Sequence, residues 1–249
     1  MEILAAKDLS FTYPKSPRKA LDSVSFSVDE GDFVCLCGTT GSGKSTLLRL
    51  FKPELYQNAD ISGDIYFCGR RLSECSPDER MSIGYVMQSP NEQIVCDKVI
   101  HELCFGMENL AYPQSKMELR LAEISAFFGL GDILDKNVAD LSGGQKQLLN
   151  LASVMVMQPK ILILDDSSSA LDFATDAKLR KALNELKKSE KLTSVTVSQR
   201  ATSIKYSDLI IVMDDGKMVG KGKHADLIRD CQLYRDIALS QMSPEELGL

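Results

Sequence analysis

The residues best suited to chemistry lie together in Gly38-Thr39-Thr40-Gly41-Ser42-Gly43-Lys44-Ser45-Thr46. The spacing from Gly38 to Gly43-Lys44-Ser45 fits the phosphate-loop pattern G-x-x-x-x-G-K-[ST]. Glycines let the backbone curl so that successive N–H groups converge on anionic oxygens. A helix starting there adds the positive end of its dipole. Lys44 supplies a point charge for terminal phosphates, and Ser45 a hydroxyl for Mg²⁺. Both flanks have the required context: the apolar run Val34-Cys35-Leu36-Cys37 before the loop and Leu47-Leu48 after it.

Two more stretches carry chemistry. Ile161-Leu162-Ile163-Leu164-Asp165-Asp166 is an apolar strand ending in carboxylates. It matches the strand that delivers an acid to Mg²⁺ beside a phosphate loop, placing Asp165 on the metal. Leu141-Ser142-Gly143-Gly144-Gln145 reads as a helix start with Ser142 as N-cap and two glycine N–H groups able to face a phosphate. Alone, that second stretch could be any turn into a helix.

These residues need elements to position them. Strands are expected at Ile3–Tyr13, Leu21–Val28, from Phe33 into the loop, from Ser62 towards Leu72 with a break at Gly69, at Ile83–Met87, Ile161–Leu164 and Thr193–Val197. The four-residue apolar run at 161–164 suits the centre of a parallel sheet. Leu209–Met213 and the stretch from Met218 read as a hairpin turned by Asp-Gly. Helices are expected at Gly43–Phe51, Asp97–Leu110, Ser115–Phe128, Gly143–Met157 and Asp172–Lys188, with a polar helical tail after Gly222. From Asn91 to Asp140 helical periodicity dominates, as in an insertion into an α/β core.

Composition narrows the partners. Hydrophobic content of 44% and charged content of 26% are those of a soluble globular chain. A net charge of −6 argues against a general grip on nucleic acid, which needs clustered Lys and Arg. No apolar run approaches the ~18 residues of a membrane helix. The start Met1-Glu2-Ile3 lacks a signal-sequence pattern, so a cytosolic setting is expected. The seven cysteines have no paired metal spacing and read as reduced, buried thiols. His101 and His224 have no metal-ligand spacing and receive no role.

With these motifs in this order, the chain resembles the nucleotide-binding subunit of an ATP-binding cassette (ABC) transporter over essentially its whole length. The stretch Leu141 to Gln145 resembles the family signature. Tyr13 matches the aromatic residue that stacks on adenine, although it could be a core aromatic. Gln88 matches the glutamine that borders the helical subdomain and serves the metal and the reaction, although it could be a surface amide. Ser169-Ala170-Leu171-Asp172 matches the loop that touches the opposite subunit.

The resemblance implies a phosphate-loop NTPase core of mixed sheet, an antiparallel β subdomain and an inserted helical subdomain. The boundaries are about 1–90 and 158–249 for the core and 91–157 for the helices, in one ATPase domain. It implies ATP and Mg²⁺ held by Tyr13, by Gly38, Thr39, Thr40, Gly41, Ser42, Gly43, Lys44, Ser45 and Thr46, and by Ser142, Gly143, Gly144 and Gln145 of a facing subunit. Ser45, Gln88 and Asp165 would serve the metal. Transmembrane subunits, a second ATPase subunit and a peripheral place on the cytoplasmic face of the membrane follow.

Two positions depart from the family. Asp166 stands where glutamate usually polarises the attacking water, and Gln199 where a switch histidine is usual. Aspartate sets the carboxylate back by about an ångström, a displacement that can cost around a hundredfold in rate. Glutamine can bond a γ-phosphate but cannot become cationic. Both losses fall on the same half-site and imply one partner of an asymmetric, heterodimeric pair; a homodimer with slow turnover is the alternative. The first two-thirds, including Gln88 to Gln93, resemble the ATPases of energy-coupling factor importers. The last third, with Asp165-Asp166-Ser167 and Gln199-Arg200, resembles asymmetric exporter cassettes. An exporter cassette or a soluble non-transport cassette ATPase are the alternatives.

Overall fold

The computed structural model describes residues 1–55, 60–166, 181, 183, 185–186, 191–198, 204–243 and 247. They form two compact units, Met1–Ile83 with Thr193–Leu249, and Gly84–Leu192. The class is the mixed α/β expected. Gln199, the loop 169–172 and most of the helix expected over 172–188 lie outside the described residues.

In the first unit, β1 (Glu2–Thr12) and β2 (Lys19–Asp29) pair antiparallel, and β1 also pairs antiparallel with β4 (Asp60–Phe67). The short β5 (Arg70–Arg71) closes this sheet in the order β2-β1-β4-β5. A second sheet centres on β3 (Phe33–Gly38), parallel to both β8 (Thr193–Val197) and β9 (Leu209–Asp214). β10 (Lys217–Gly222) folds back antiparallel on β9 through the Asp215-Gly216 turn. The loop after β3 leads into α1 (Lys44–Leu50).

The tail reads as polar in sequence, but its helices, α7 (His224–Asp230) and α8 (Gln232–Leu239), carry a buried stripe. Leu227, Ile228, Cys231, Tyr234 and Ala238 form one core with Cys35, Cys37, Ile210 and Val212. The chain breaks at the extended Cys231, and the two helices turn their apolar residues into the same core, which an average over the tail conceals.

In the second unit, β6 (Ile83–Val86) and β7 (Ile161–Leu164) are neighbours, with Asp165 N–H donating to Val86 O at 3.0 Å. The helices α4 (Val99–Asn109), α5 (Gln114–Phe128) and α6 (Gly143–Met155) bury Leu103, Met107, Ile124, Leu149 and Ala152 in one core with Leu162 and Leu164. The helical stretch expected at 91–157 falls within this unit. Two short helices escaped the periodicity reading because each spans barely a turn. They are α2 (Pro77–Met81), capped by a Ser76–Glu79 box, and α3 (Pro90–Gln93). Among the described residues no helix is long and apolar enough to cross a membrane.

Candidate nucleotide site

The phosphate loop is shaped by its own chain. Gly38 sits at φ 139°, and a Cβ there would lie 1.9 Å from Met213 O on β9. Gly43 sits at φ 95°, where a Cβ would lie 2.5 Å from Ala20 O on β2. Neither position accepts an L side chain without moving backbone. The β9–β10 hairpin braces the loop from outside. Thr39 Oγ1 donates to Asp214 Oδ1 at 2.9 Å, and Gly216 N–H donates to Ser42 O at 3.2 Å. The same Gly216 accepts from Asp22 N–H at 2.8 Å, tying the hairpin to β2.

Lys44 is buried at the head of α1, and its Nζ donates to Gly38 O at 3.0 Å, Thr39 O at 2.7 Å and Ser42 Oγ at 3.2 Å. The ammonium is therefore held inside the curl of the loop, where an anion would meet it. Thr39, Thr40 and Gly41 are exposed along the rim, and Ser45 and Thr46 are half-buried. The N-cap of α1 is Gly43, which brings no side-chain acceptor to the first turn. Tyr13 Oη and Thr46 Oγ1 share a hydrogen bond of 2.8 Å. The Tyr13 ring meets Phe11 edge-on and stays 45% exposed, which suits a stacking platform for a base.

Beneath the loop, burial raises the Cys35 thiol well above its usual range. Burial, with Cys231 nearby, pushes Cys37 up to about 12, against the opposing pull of Lys44. Both thiols are free and stay protonated, packing as small hydrophobes as expected.

The second unit holds the residues expected to serve as the acid and the signature. Asp165 is 1% exposed at the end of β7, and Tyr85 Oη donates to its Oδ2 at 2.9 Å. Asp166 is buried with φ 44°, a left-handed turn that aspartate tolerates better than most residues. Gln88 is exposed two residues beyond β6. Its segment is fixed by a residue the sequence reading gave no role: Gln93 Oε1 accepts from Met87 N–H at 2.8 Å, and Gln93 Nε2 donates to Tyr85 O at 3.1 Å. Glu102, buried on α4, accepts from the N–H groups of Val95 and Cys96 at 3.0 and 2.9 Å. Its signal was available: a carboxylate on the apolar stripe of Val99, Leu103 and Met107.

At the signature, Ser142 caps α6 with a full capping box. Gln145 N–H donates to Ser142 Oγ at 3.3 Å, and Ser142 N–H donates to Gln145 Oε1 at 2.9 Å. Leu141 is buried as an anchor, while Ser142 and Gly143 are exposed, and a Cβ on Gly143 would meet nothing within 4 Å. Gly144 and Gln145 are half-buried in the first turn. The Ser45 hydroxyl in the first unit, and the Asp165 carboxylate and Gln88 amide oxygen in the second, are each hard oxygens of the kind Mg²⁺ accepts. Among the described residues no cluster of His, Cys, Asp and Glu forms a self-sufficient metal cage.

Residues 21–169 match the profile of the ABC transporter family. Over 219 residues the chain is 41% identical to a putative ABC transporter ATP-binding protein of Bacillus anthracis. That match takes in 87% of this chain and 40% of that protein. Over 234 residues it is 38% identical to the energy-coupling factor transporter ATP-binding protein EcfA1 of Oenococcus oeni, covering 94% of this chain and 83% of that one. Its fold superimposes on CbiO1 of Clostridium perfringens, part of the ABC transporter complex CbiONQ, with a TM-score of 0.81 and 27% identity, over 99% and 98% of the two chains. The profile match and the EcfA1 kinship place this chain in the family of ABC transporter ATP-binding domains, whose members are ATPases.

Proposed function

We propose that this chain is the energy-coupling ATPase subunit of a membrane transporter, working on the cytoplasmic face against transmembrane subunits and a second cassette. The observation that carries the reading is the phosphate loop: glycines fixed by β2 and β9, with the Lys44 ammonium held within the curl. The whole chain is read as one ATPase domain, with its core at about 1–90 and 158–249 and its helical subdomain at 91–157.

In this reading the adenine stacks on Tyr13, and the phosphates take the N–H groups from Gly38 to Thr46 and the Lys44 charge. Ser45, Asp165 and Gln88 would hold Mg²⁺, which supplies charge neutralisation at the β- and γ-phosphates when bound. The signature residues Ser142, Gly143, Gly144 and Gln145 serve the nucleotide of the facing subunit. Gly143 supports this, since among the described residues nothing of its own chain lies within 4 Å of where its Cβ would sit. ATP then bridges two subunits, so closure follows from differential affinity for the closed state, and hydrolysis reopens it. Kinship to EcfA1 favours an energy-coupling importer.

The chain's own catalytic half-site is degenerate in this reading. Asp166 is a methylene short, and Gln199 replaces a group that could carry charge. The partner would then be a different cassette, completed by this chain's signature. Steady-state ATP hydrolysis by the purified chain tests it. Slow turnover alone and fast turnover with a partner fit; brisk Mg²⁺-dependent turnover alone would refute the asymmetry. Asp166→Glu with Gln199→His should raise turnover by up to about a hundredfold if geometry is the defect. Affinity isolation from detergent-solubilised membranes tests the transport role. Recovery of transmembrane subunits supports it, and ribosomes or nucleic acid instead would point to a soluble cassette ATPase.

A further inference from the structure

The second unit contains a chain of contacts that the family motifs do not explain. Tyr85 Oη donates to Asp165 Oδ2 at 2.9 Å, from a tyrosine only 7% exposed. The backbone on either side of Val86 is gripped by one side chain: Gln93 accepts from Met87 N–H at 2.8 Å and donates to Tyr85 O at 3.1 Å. The strand between is fixed again, since Asp165 N–H donates to Val86 O at 3.0 Å. Gly84, two residues earlier, lies so close to its neighbours that a Cβ there would sit 2.6 Å from Val154 Cγ1 and 3.1 Å from Pro159. β6 is thereby pinned along its length, with Asp165 attached to one side and the Gln88 segment to the other.

We propose that Tyr85 and Gln93 are positioning residues that join Gln88 and Asp165 into one bracket, and so set how tightly Mg²⁺ is held with the nucleotide. This rests on the reading of Gln88 and Asp165 as metal-side groups. The physical reason is orientation. A hydroxyl donating to one carboxylate oxygen fixes the rotation of the group and thereby aims it, and such outer partners are worth tenfold to a hundredfold in metal affinity. Gln93 acts on the other arm. With both ends of its amide engaged by backbone, Gln88 leaves β6 from a fixed base. Because Gln93 is the last residue of α3, a displacement of α3 pulls on that base directly.

Titration of a fluorescent ATP analogue on the purified full-length chain, at rising Mg²⁺ and separately in EDTA, tests the bracket. Tyr85→Phe removes one oxygen and keeps the ring, so the fold is retained. It should raise the Mg²⁺ concentration at half-effect by about tenfold, leaving nucleotide affinity in EDTA unchanged and lowering the thermal midpoint by only a few degrees. Gln93→Ala should raise it by about threefold, with Gln93→Glu in between because it keeps the acceptor for Met87 N–H. The double variant should shift no further than Tyr85→Phe alone, since groups acting as one unit do not add. Unchanged half-effect concentrations in the variants, or an equal loss of affinity in EDTA, would overturn the bracket while leaving the site reading intact. A wild-type chain that binds the nucleotide without any Mg²⁺ dependence would overturn the site reading, and the bracket with it.

Discussion

The two glycine-bearing turns of this chain face opposite demands. At the phosphate loop, Gly38 and Gly43 are required by the protein itself, because Met213 O and Ala20 O occupy the space a Cβ would take. At the proposed signature, none of the described residues approaches Gly143, and the turn is already satisfied by its Ser142–Gln145 box. The first turn is a finished cradle held by β2, β9 and the hairpin. The second is a capped helix start whose glycine has no steric reason to be glycine among the described residues. What each glycine avoids thus separates a turn braced by its own chain from one that its own chain leaves open, as the proposed division between ligand loop and partner-facing turn requires.

Removing the charge at the heart of the cradle should have the largest effect. Lys44→Ala should weaken ATP binding by the purified chain by two to three orders of magnitude, with circular dichroism unchanged, since it deletes the charge aimed at the phosphates. If ATP still binds as tightly, the cradle is not the nucleotide site. Next comes the glycine contrast. Gly38→Ala should lower the thermal midpoint by roughly 10 °C, through backbone displacement and a strained φ. Gly143→Ala should leave it level or slightly raised, because alanine favours the helix. In the assembled transporter the same Gly143→Ala should cost about tenfold or more in turnover. Equal thermal losses at the two glycines would erase the contrast.

A smaller effect is expected from Ser142→Ala. Loss of the cap should cost about 1 kcal/mol, seen as a midpoint drop of a few degrees. That would show that the signature turn is self-supporting without a partner. The smallest concerns the core beneath the cradle. His224 Nδ1 and Tyr234 Oη share a hydrogen bond of 2.7 Å. Burial first, and then Lys205, hold the imidazole below its usual range. Between the folded value and the ordinary value of about 6.5 the unfolded chain binds the extra proton, so stability rises with pH. The contribution is complete above about pH 6.5 and is lost on acidification. Thermal midpoints at pH 5.5 and 7.5 should differ more in the wild type than in His224→Gln, by on the order of 1 °C.

Much of this was legible because it is local. The phosphate loop declares itself by glycine, lysine and serine at fixed spacing between a strand and a helix. β7 declares itself as an unbroken apolar run ending in Asp165, and the hairpin by its Asp-Gly turn. Capping at Ser142 follows from residues three apart. Such signals need only neighbours along the chain, and the sequence states them outright.

What the tertiary structure decided depends on groups far apart in sequence. Tyr85 meets Asp165 across eighty positions. Gly38 is obligatory only because Met213 lies on the next strand, and the tail helices bury a stripe only because β3 offers Cys35 and Cys37. Gln93 and Glu102 look like ordinary polar residues until their backbone partners are seen. Periodicity records which face of an element is apolar; which partner arrives at that face, and which lone hydroxyl or amide finds an acceptor there, is settled only when the elements pack.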